Sequence, residues 1–204
     1  MTAPDNPNDH ELLAQMLAGD AEALSVLYRR RQGNVFRFAL HMCGSQTIAE
    51  DITQEAFVFL INDGHTFDPA RGSVNGFLLG VARNLVLRRL RRERLYVSIE
   101  DDSEGDRVAN RVIGAKAFDD LARVETIESV RKAVLSLPER YREVVVLCEL
   151  REMSYAETAE IVGCAIGTVR SRLHRARALL IDKLRPTRAE NQAPATAKSA
   201  RCLA

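Results

Sequence analysis

The sequence predicts an all-α protein made of two small helical domains joined by a flexible linker. Apolar residues recur at three- and four-residue spacing through most of the chain, the period of an amphipathic helix. Strand signals are nearly missing, because the one β-branched run, Val144–Val146, lies within a helical period. Charge is unevenly placed beneath a net charge of +1. Arg83–Arg94 holds six Arg against one Glu, and Arg170–Arg185 holds six basic groups against one Asp. The stretch between them, residues 96–123, carries 7 acidic and 4 basic groups. Two basic patches flanking an acidic connector point to two contacts with one polyanion.

Composition narrows the classes further. At 204 residues, 46% hydrophobic and 28% charged, the chain is ordinary globular material and neither fibrous nor wholly disordered. No apolar stretch approaches the ~18 residues of a membrane-spanning helix. The polar, acidic start MTAPDNPNDHE does not read as a signal peptide. Cys43, Cys148, Cys164 and Cys202 are far apart and form no CxxC pair, so neither a disulfide scaffold nor a zinc finger is expected. A reducing, cytoplasmic setting is.

Residues 1–8 read as a disordered N-terminus, and 9–95 as the first domain. Asp9 and Asp20 fit as N-caps, the latter opening AEALSVLYRRR, and Gly44 fits as a helix stop. A third helix runs from about Ile48 to Ile61, and NDGHTFDPARGSVNG has the turn-residue density of a loop. A fourth runs from Val74 or Asn75 to Arg94. Residues 96–120 read as an acidic linker, 121–186 as the second domain, and the Ala-rich segment 187–204 as a disordered tail.

In the second domain, Ser154–Glu157 has capping-box spacing ahead of a short helix ending near Gly163. Cys164 and Ala165 fit the turn, and GTVRSRLHRARALL begins the next helix. At ~100° per residue, Val169, Leu173, Ala176 and Leu180 form a core stripe, faced by Ala159, Ile161 and Val162 of the preceding helix. Ser171, His174 and Arg175 lie opposite, with Arg170 at the edge, while Arg172 and Arg177 fall at the core boundary, where they can pair with acids of neighbouring helices. A short helix, a tight Gly-bearing turn and a basic second helix make a helix-turn-helix. Such a helix fits the major groove, where Arg reaches guanine edges and Ser or His reach bases or phosphates.

On the wheel of the third helix, Ile52, Ala56, Phe59 and Leu60 form a core face. Glu50, Asp51, Gln54 and Glu55 lie opposite with Val58 and Ile61, a mixture that suits a protein partner and repels DNA. On the fourth helix Asn84, Arg88 and Arg91 make one stripe with Arg92 beside it. Leu79, Val86 and Leu90 face away.

The run LPERYREVVVLCELREMSYAETAEIVGCAIGTVRSRLHRARALL resembles region 4 of the extracytoplasmic-function (ECF) sigma factors of bacterial RNA polymerase, in the sigma-70 family. Its L-P-x-x-x-R-x-V element, S-Y-x-E segment and G-T-V-R-S-R-L-x-R-A-R run match in order and spacing. The resemblance implies −35 promoter reading by Thr168, Arg170, Ser171, His174 and Arg175, and docking on the flap of the polymerase β subunit. AEDITQEAFVFLI resembles sigma region 2.2, which implies that Asp51, Gln54, Glu55 and Phe57 bear on the β′ clamp helices. FLLGVARNLVLRRLRRER resembles regions 2.3 and 2.4, which melt and read the −10 element. That reading would fall to Asn84, Arg88, Arg91 and Arg92, with an unpaired base captured somewhere within Phe67–Asn75. Phe77 stands where the family usually has Trp. The family also implies an anti-sigma partner and a linker threading the polymerase. The acids Glu100, Asp101, Asp102, Glu104 and Asp106 either mimic nucleic acid on that path or form a plain solvated linker.

Catalysis is not expected: GxxxxGK[ST], HExxH and GxSxG are all lacking. No cofactor or metal is expected either, since His41 and Cys43 diverge by ~200° on a helix and His10 and His65 have no partner nearby in sequence. The competing reading is a LuxR-like two-domain helix-turn-helix regulator. It calls for a ligand or receiver domain in residues 1–95, which lack the alternating strands and helices of a receiver. The expected function is that of a non-catalytic, dissociable polymerase subunit that directs transcription initiation under anti-sigma control.

Overall fold

The computed structural model describes residues 7–99 and 118–185. The expectations for residues 1–6, for most of the acidic linker including its five named acids, for the 187–204 tail and for Cys202 lie outside them. All regular structure among the described residues is helical, as the spacing of apolar residues requires.

The first module packs α1 (Asp9–Leu17), α2 (Ala21–Cys43), α3 (Gln46–Asp63) and α4 (Val74–Ile99) around Leu12, Leu27, Phe38, Met42, Leu60, Leu78 and Leu79, all fully buried. Asp20 caps α2 by accepting from the Glu22 and Ala23 amides, and Gly44 ends it in the left-handed conformation at φ 76°. The expected cap at Asp9 moves one residue. Asn8 forms a capping box with Glu11, leaving the Asp9 carboxylate to take hydrogen bonds from Arg30 and Arg31 of α2. One amide oxygen serves both orphan amides, so the acid ties two helices together instead. Between α3 and α4 the expected loop contains two single turns of 3-10 helix, Gly64–Thr66 and Pro69–Arg71.

The second module comprises α5 (Phe118–Leu135), α6 (Glu139–Val145), a π-helical turn at Val146–Leu150, α7 (Tyr155–Val162) and α8 (Ile166–Leu184). Val144, Val145, Val146 and Leu147 are all buried, so the β-branched run is a core segment of helix. The capping box of α7 forms as its spacing requires, with the Ser154 hydroxyl accepting from the Glu157 amide and Glu157 returning to Ser154. Gly163 ends α7 at φ 70°, Ala165 is the N-cap position of α8, and Val169, Leu173 and Ala176 are buried with Leu180 packed beside them. The helix-turn-helix is thus α7, its left-handed turn and α8. The two modules touch where α7 meets α4, where α5 meets α2, and where the π-helical turn meets α2.

Candidate functional site

Burying the Val169 stripe of α8 turns Arg170, Ser171, His174 and Arg175 outward, and all four are exposed, with Thr168 half-buried at the helix start. Ser171 is locally satisfied, its hydroxyl donating to the Thr168 carbonyl at 3.0 Å. Two aromatic rings back the basic side chains. Arg170 lies 5.8 Å from the ring centre of Tyr155 at the start of α7. Arg175 hydrogen-bonds the Tyr141 hydroxyl, which, with Arg140 nearby, holds that phenol below its ordinary value. Arg172 turns to the core boundary and donates to the buried Glu143 at 3.1 Å, whereas Arg177, expected there too, is exposed and pairs with Glu149 at the surface. The exposed face of α8 is therefore a strip of donors with no carboxylate among the named residues.

On α4, burial of Leu78, Leu79, Ala82 and Val86 leaves Asn84, Arg88, Arg91 and Arg92 exposed. On α3, Asp51, Gln54 and Glu55 are exposed beside Val58 and Ile61, so acids and apolar groups share one surface. Two aromatic placements there differ from expectation, Phe59 from the wheel and Phe57 from the resemblance. Phe57 is only 4% exposed and meets Tyr28 edge-on at 4.7 Å, so it supports the outer face from beneath instead of presenting itself. Phe59, expected in the core, is 37% exposed, because it lies 6.2 Å from Phe77 at the side of an open cleft. The two faces also meet: Arg88 donates to Glu55 at 3.5 Å, a pairing between residues with separate expected roles.

A cleft of about 370 Å³ opens at the start of α4. Phe59, Phe67 and Phe77 form its aromatic side, with Phe67 and Phe77 edge-on at 5.5 Å. Asp68, Arg71, Ser73 and Asn84 supply polar groups, and Glu157, Glu160 and Ile161 of α7 close it. His10 packs against Phe67 at 5.3 Å, which gives it the partner that its sequence neighbours lack. Aromatic faces beside hydrogen-bonding groups can stack and orient a planar ring.

Sequence reasoning missed the residues that join the modules. Glu143, on α6, has a side chain 4% exposed and accepts from Arg83 Nε of α4 at 2.7 Å as well as from Arg172. Arg131 donates to the Gly44 carbonyl at 3.1 Å, and Arg142 donates to the Met42, Leu135 and Leu137 carbonyls. Arg151 reaches Asn34 of α2. The signal for Glu143 lay in its surroundings: Tyr141, Val144 and Val145 leave α6 little solvent-facing surface, so an acid there needs buried partners. Cys43, Cys148 and Cys164 are half-buried, and burial pushes the thiols of Cys43 and Cys148 up, keeping them protonated.

Residues 27–96 match the family model for sigma-70 region 2, and residues 127–180 that for sigma-70, region 4. The chain is similar to the ECF RNA polymerase sigma factor SigW of Bacillus subtilis, 30% identical over 178 residues, covering 85% of this chain and 95% of that protein. It is 34% identical over 185 residues to the ECF RNA polymerase sigma factor SigC of Mycobacterium tuberculosis, covering 89% and 94%. Among solved structures it resembles CnrH in complex with the cytosolic domain of CnrY, at 26% identity and TM-score 0.63, covering 85% and 95%. The fold is also that of the sigma factor RpoE in complex with the anti-sigma factor NepR from Bartonella quintana, at 24% identity and TM-score 0.66, covering 80% and 98%. Both halves match sigma regions, which leaves a LuxR-like regulator without support. The chain belongs to the ECF sigma factors of bacterial RNA polymerase.

Proposed function

We propose that this sigma factor binds core polymerase through the outer face of α3 and reads two promoter elements with two separate basic faces. The observation that carries this reading is the exposure of both donor strips, one on each module, while the intervening α3 face is acidic and apolar. Arg170, Ser171, His174 and Arg175, with Thr168, serve the −35 element. Asn84, Arg88, Arg91 and Arg92 serve the −10 element, and the Phe67–Phe77 cleft receives an unpaired base. Asp51, Gln54 and Glu55 meet the β′ clamp helices, with Phe57 supporting them from below, and the second module meets the β flap. Domain limits of 9–95 and 121–186, joined by the 96–120 linker, follow from this division of labour. An anti-sigma partner fits the company that CnrH and RpoE keep in their solved complexes. The protein acts in the cytoplasm as an initiation factor and not as an enzyme. No helix among the described residues is long and apolar enough to cross a membrane.

The test is separation of function. Asp51→Arg should abolish capture by core polymerase with helix content intact, since reversal of an exposed charge seldom unfolds a domain. Asn84→Ala with Arg91→Ala should preserve capture and lose promoter opening. Loss of capture by both would refute the division of faces. Glu55 is left unaltered because its pairing with Arg88 would couple the two surfaces.

A further inference from the structure

We infer that the seam between the two modules holds a site for a small diphosphate-bearing anion, formed by Arg37 and His41 of α2 and Arg151 at the end of the π-helical turn. The modules share one continuous apolar cluster, which takes in Phe38 and Met42 of α2 and Val144–Leu147 of the second module. Their packing therefore does not rest on charge, and the cations at its edge need another account. Asn34, Arg37 and His41 fall at i, i+3 and i+7 on α2, one stripe of the helix, and the π-helical turn packs against that helix. Arg37 donates to the Asn34 amide oxygen at 3.0 Å, and Arg151, from the other module, donates to the same oxygen. Two guanidiniums thus converge on one neutral atom. Neither forms an ion pair with a carboxylate among the described residues, and Glu152 acts on Arg151 without bonding it. Arg151 Nε is buried with no hydrogen-bond partner there. Burial, and then the Arg37 charge, hold the Arg151 guanidinium below its ordinary value. Arg131, further along α2, is already answered by the Gly44 carbonyl and by Glu128 at 3.9 Å.

Like charges gathered in this way are unfavourable until an anion answers them. Guanidinium forks match the oxygens of a phosphoryl group and can bond it bidentately. Arg37 and Arg151 clasp one such group. His41 stands one turn beyond Arg37, ~6 Å along the helix axis, within reach of a second group attached to the first. A diphosphate therefore uses all three side chains, where a single phosphate leaves His41 idle. Arg37 is exposed and opens the site to solvent, while His41 and Arg151 are half-buried, which suits a small anion better than a nucleic-acid backbone. None of the three lies on the strips assigned to promoter DNA. Because α2 and the π-helical turn each supply an arginine, the bound anion adds a polar tie to the apolar cluster.

The experiment measures Tm of the full chain in sodium pyrophosphate against sodium chloride of equal ionic strength. At about ten times its Kd, a ligand that binds only the folded chain should raise Tm by about 3–6 °C. Inorganic phosphate should give a smaller rise, and an equal one would overturn the diphosphate assignment. A nucleoside diphosphate that matches pyrophosphate makes the natural ligand an ester, and one without effect makes it the free anion. Arg37→Ala removes a like charge, so without the anion it should melt no lower than the native chain, yet lose the rise. Arg151→Gln should lose the rise as well, and His41→Asn should reduce the pyrophosphate rise to that of phosphate. Arg91→Ala/Arg175→Ala, on the two DNA-facing strips, should keep it. No rise at all would overturn the site, as would loss of the rise in Arg91→Ala/Arg175→Ala. A rise that survives both Arg37→Ala and Arg151→Gln would be a general effect of an excluded salt, and would also overturn it. Arg37-dependent binding of a single-stranded DNA oligonucleotide more tightly than pyrophosphate would overturn the choice of a small anion.

Discussion

Arg172 and Arg175 are three residues apart on one helix, both basic, and the structure assigns them opposite consequences. Arg172 donates to Glu143, whose side chain is 4% exposed and which keeps Arg83 as a second partner. Breaking a buried ion pair by removing one side costs about 3–5 kcal/mol when the survivor is stranded. Here Glu143 is not stranded and Arg172 is itself part-exposed, so Arg172→Ala should cost about 1–2 kcal/mol. For a chain of this size that lowers Tm by about 2–8 °C. Arg175 is exposed and touches only the Tyr141 hydroxyl among the contacts described. Arg175→Ala should leave Tm nearly unchanged and cost about 1–3 kcal/mol of discrimination at one −35 position. Thermal melting by circular dichroism gives the first quantity. Selection of polymerase-bound complexes from a −35 library gives the second. An Arg172→Ala chain with native Tm and relaxed base preference would refute the reasoning, as would uniform weakening across all library members for Arg175→Ala.

Two further outcomes follow from local geometry. Burial, together with Arg131, Arg151 and Arg37, holds the His41 imidazole below its ordinary value, against an opposing backbone hydrogen bond at Arg37. The unfolded chain then takes up this proton at higher pH than the folded one. The group's contribution is complete above about pH 6.5 and is lost as pH falls towards the folded value. Tm should therefore drop between about pH 7 and pH 5.5, and the drop should be smaller in His41→Asn; equal drops would exclude His41 as the cause. Gly44 and Gly163 both adopt positive φ, at 76° and 70°, but only at Gly44 would an added Cβ meet a neighbour, Leu135 Cδ1 at 2.9 Å. Gly163→Ala should cost about 1–2 kcal/mol from backbone strain alone, and Gly44→Ala about 1 kcal/mol more in equilibrium urea unfolding. Equal costs would mean that Leu135 moves aside freely.

Local signals carried most of the fold. Ser154 and Glu157 announced the start of α7, Gly44 and Gly163 announced helix ends, and the Val169–Ala176 stripe oriented α8 correctly because each depends on a few adjacent residues. Errors arose where a distant partner decided the outcome. At Asp9 the cap fell to Asn8 through its box with Glu11, and the carboxylate instead meets Arg30 and Arg31 of the next helix, 21 and 22 residues away. Phe57, which the resemblance assigned to polymerase, is enclosed against Tyr28 of α2, and Phe59, which the wheel assigned to the core, lies beside Phe77 of α4; a wheel drawn on α3 alone contains neither partner. Local pattern marks Glu143 as an acid on a buried helix but cannot name its partners, which lie 60 and 29 residues away. The exposed faces of α4 and α8 were legible, because a surface follows once the buried stripe is known. The packing of α7 against α4 was not, because periodicity says nothing about how two modules dock.

The most direct test of the central claim is promoter opening by the purified chain with and without bacterial core polymerase. Each donor strip is small and takes much of its affinity from phosphates, so alone the chain should bind DNA weakly and in a salt-sensitive manner. Held by polymerase at the spacing of both elements, the second contact becomes effectively intramolecular. The account predicts salt-resistant promoter complexes only when core polymerase is present, with permanganate-reactive thymines in the −10 region. Tight, palindrome-specific binding by the chain alone, unaffected by polymerase, would contradict it.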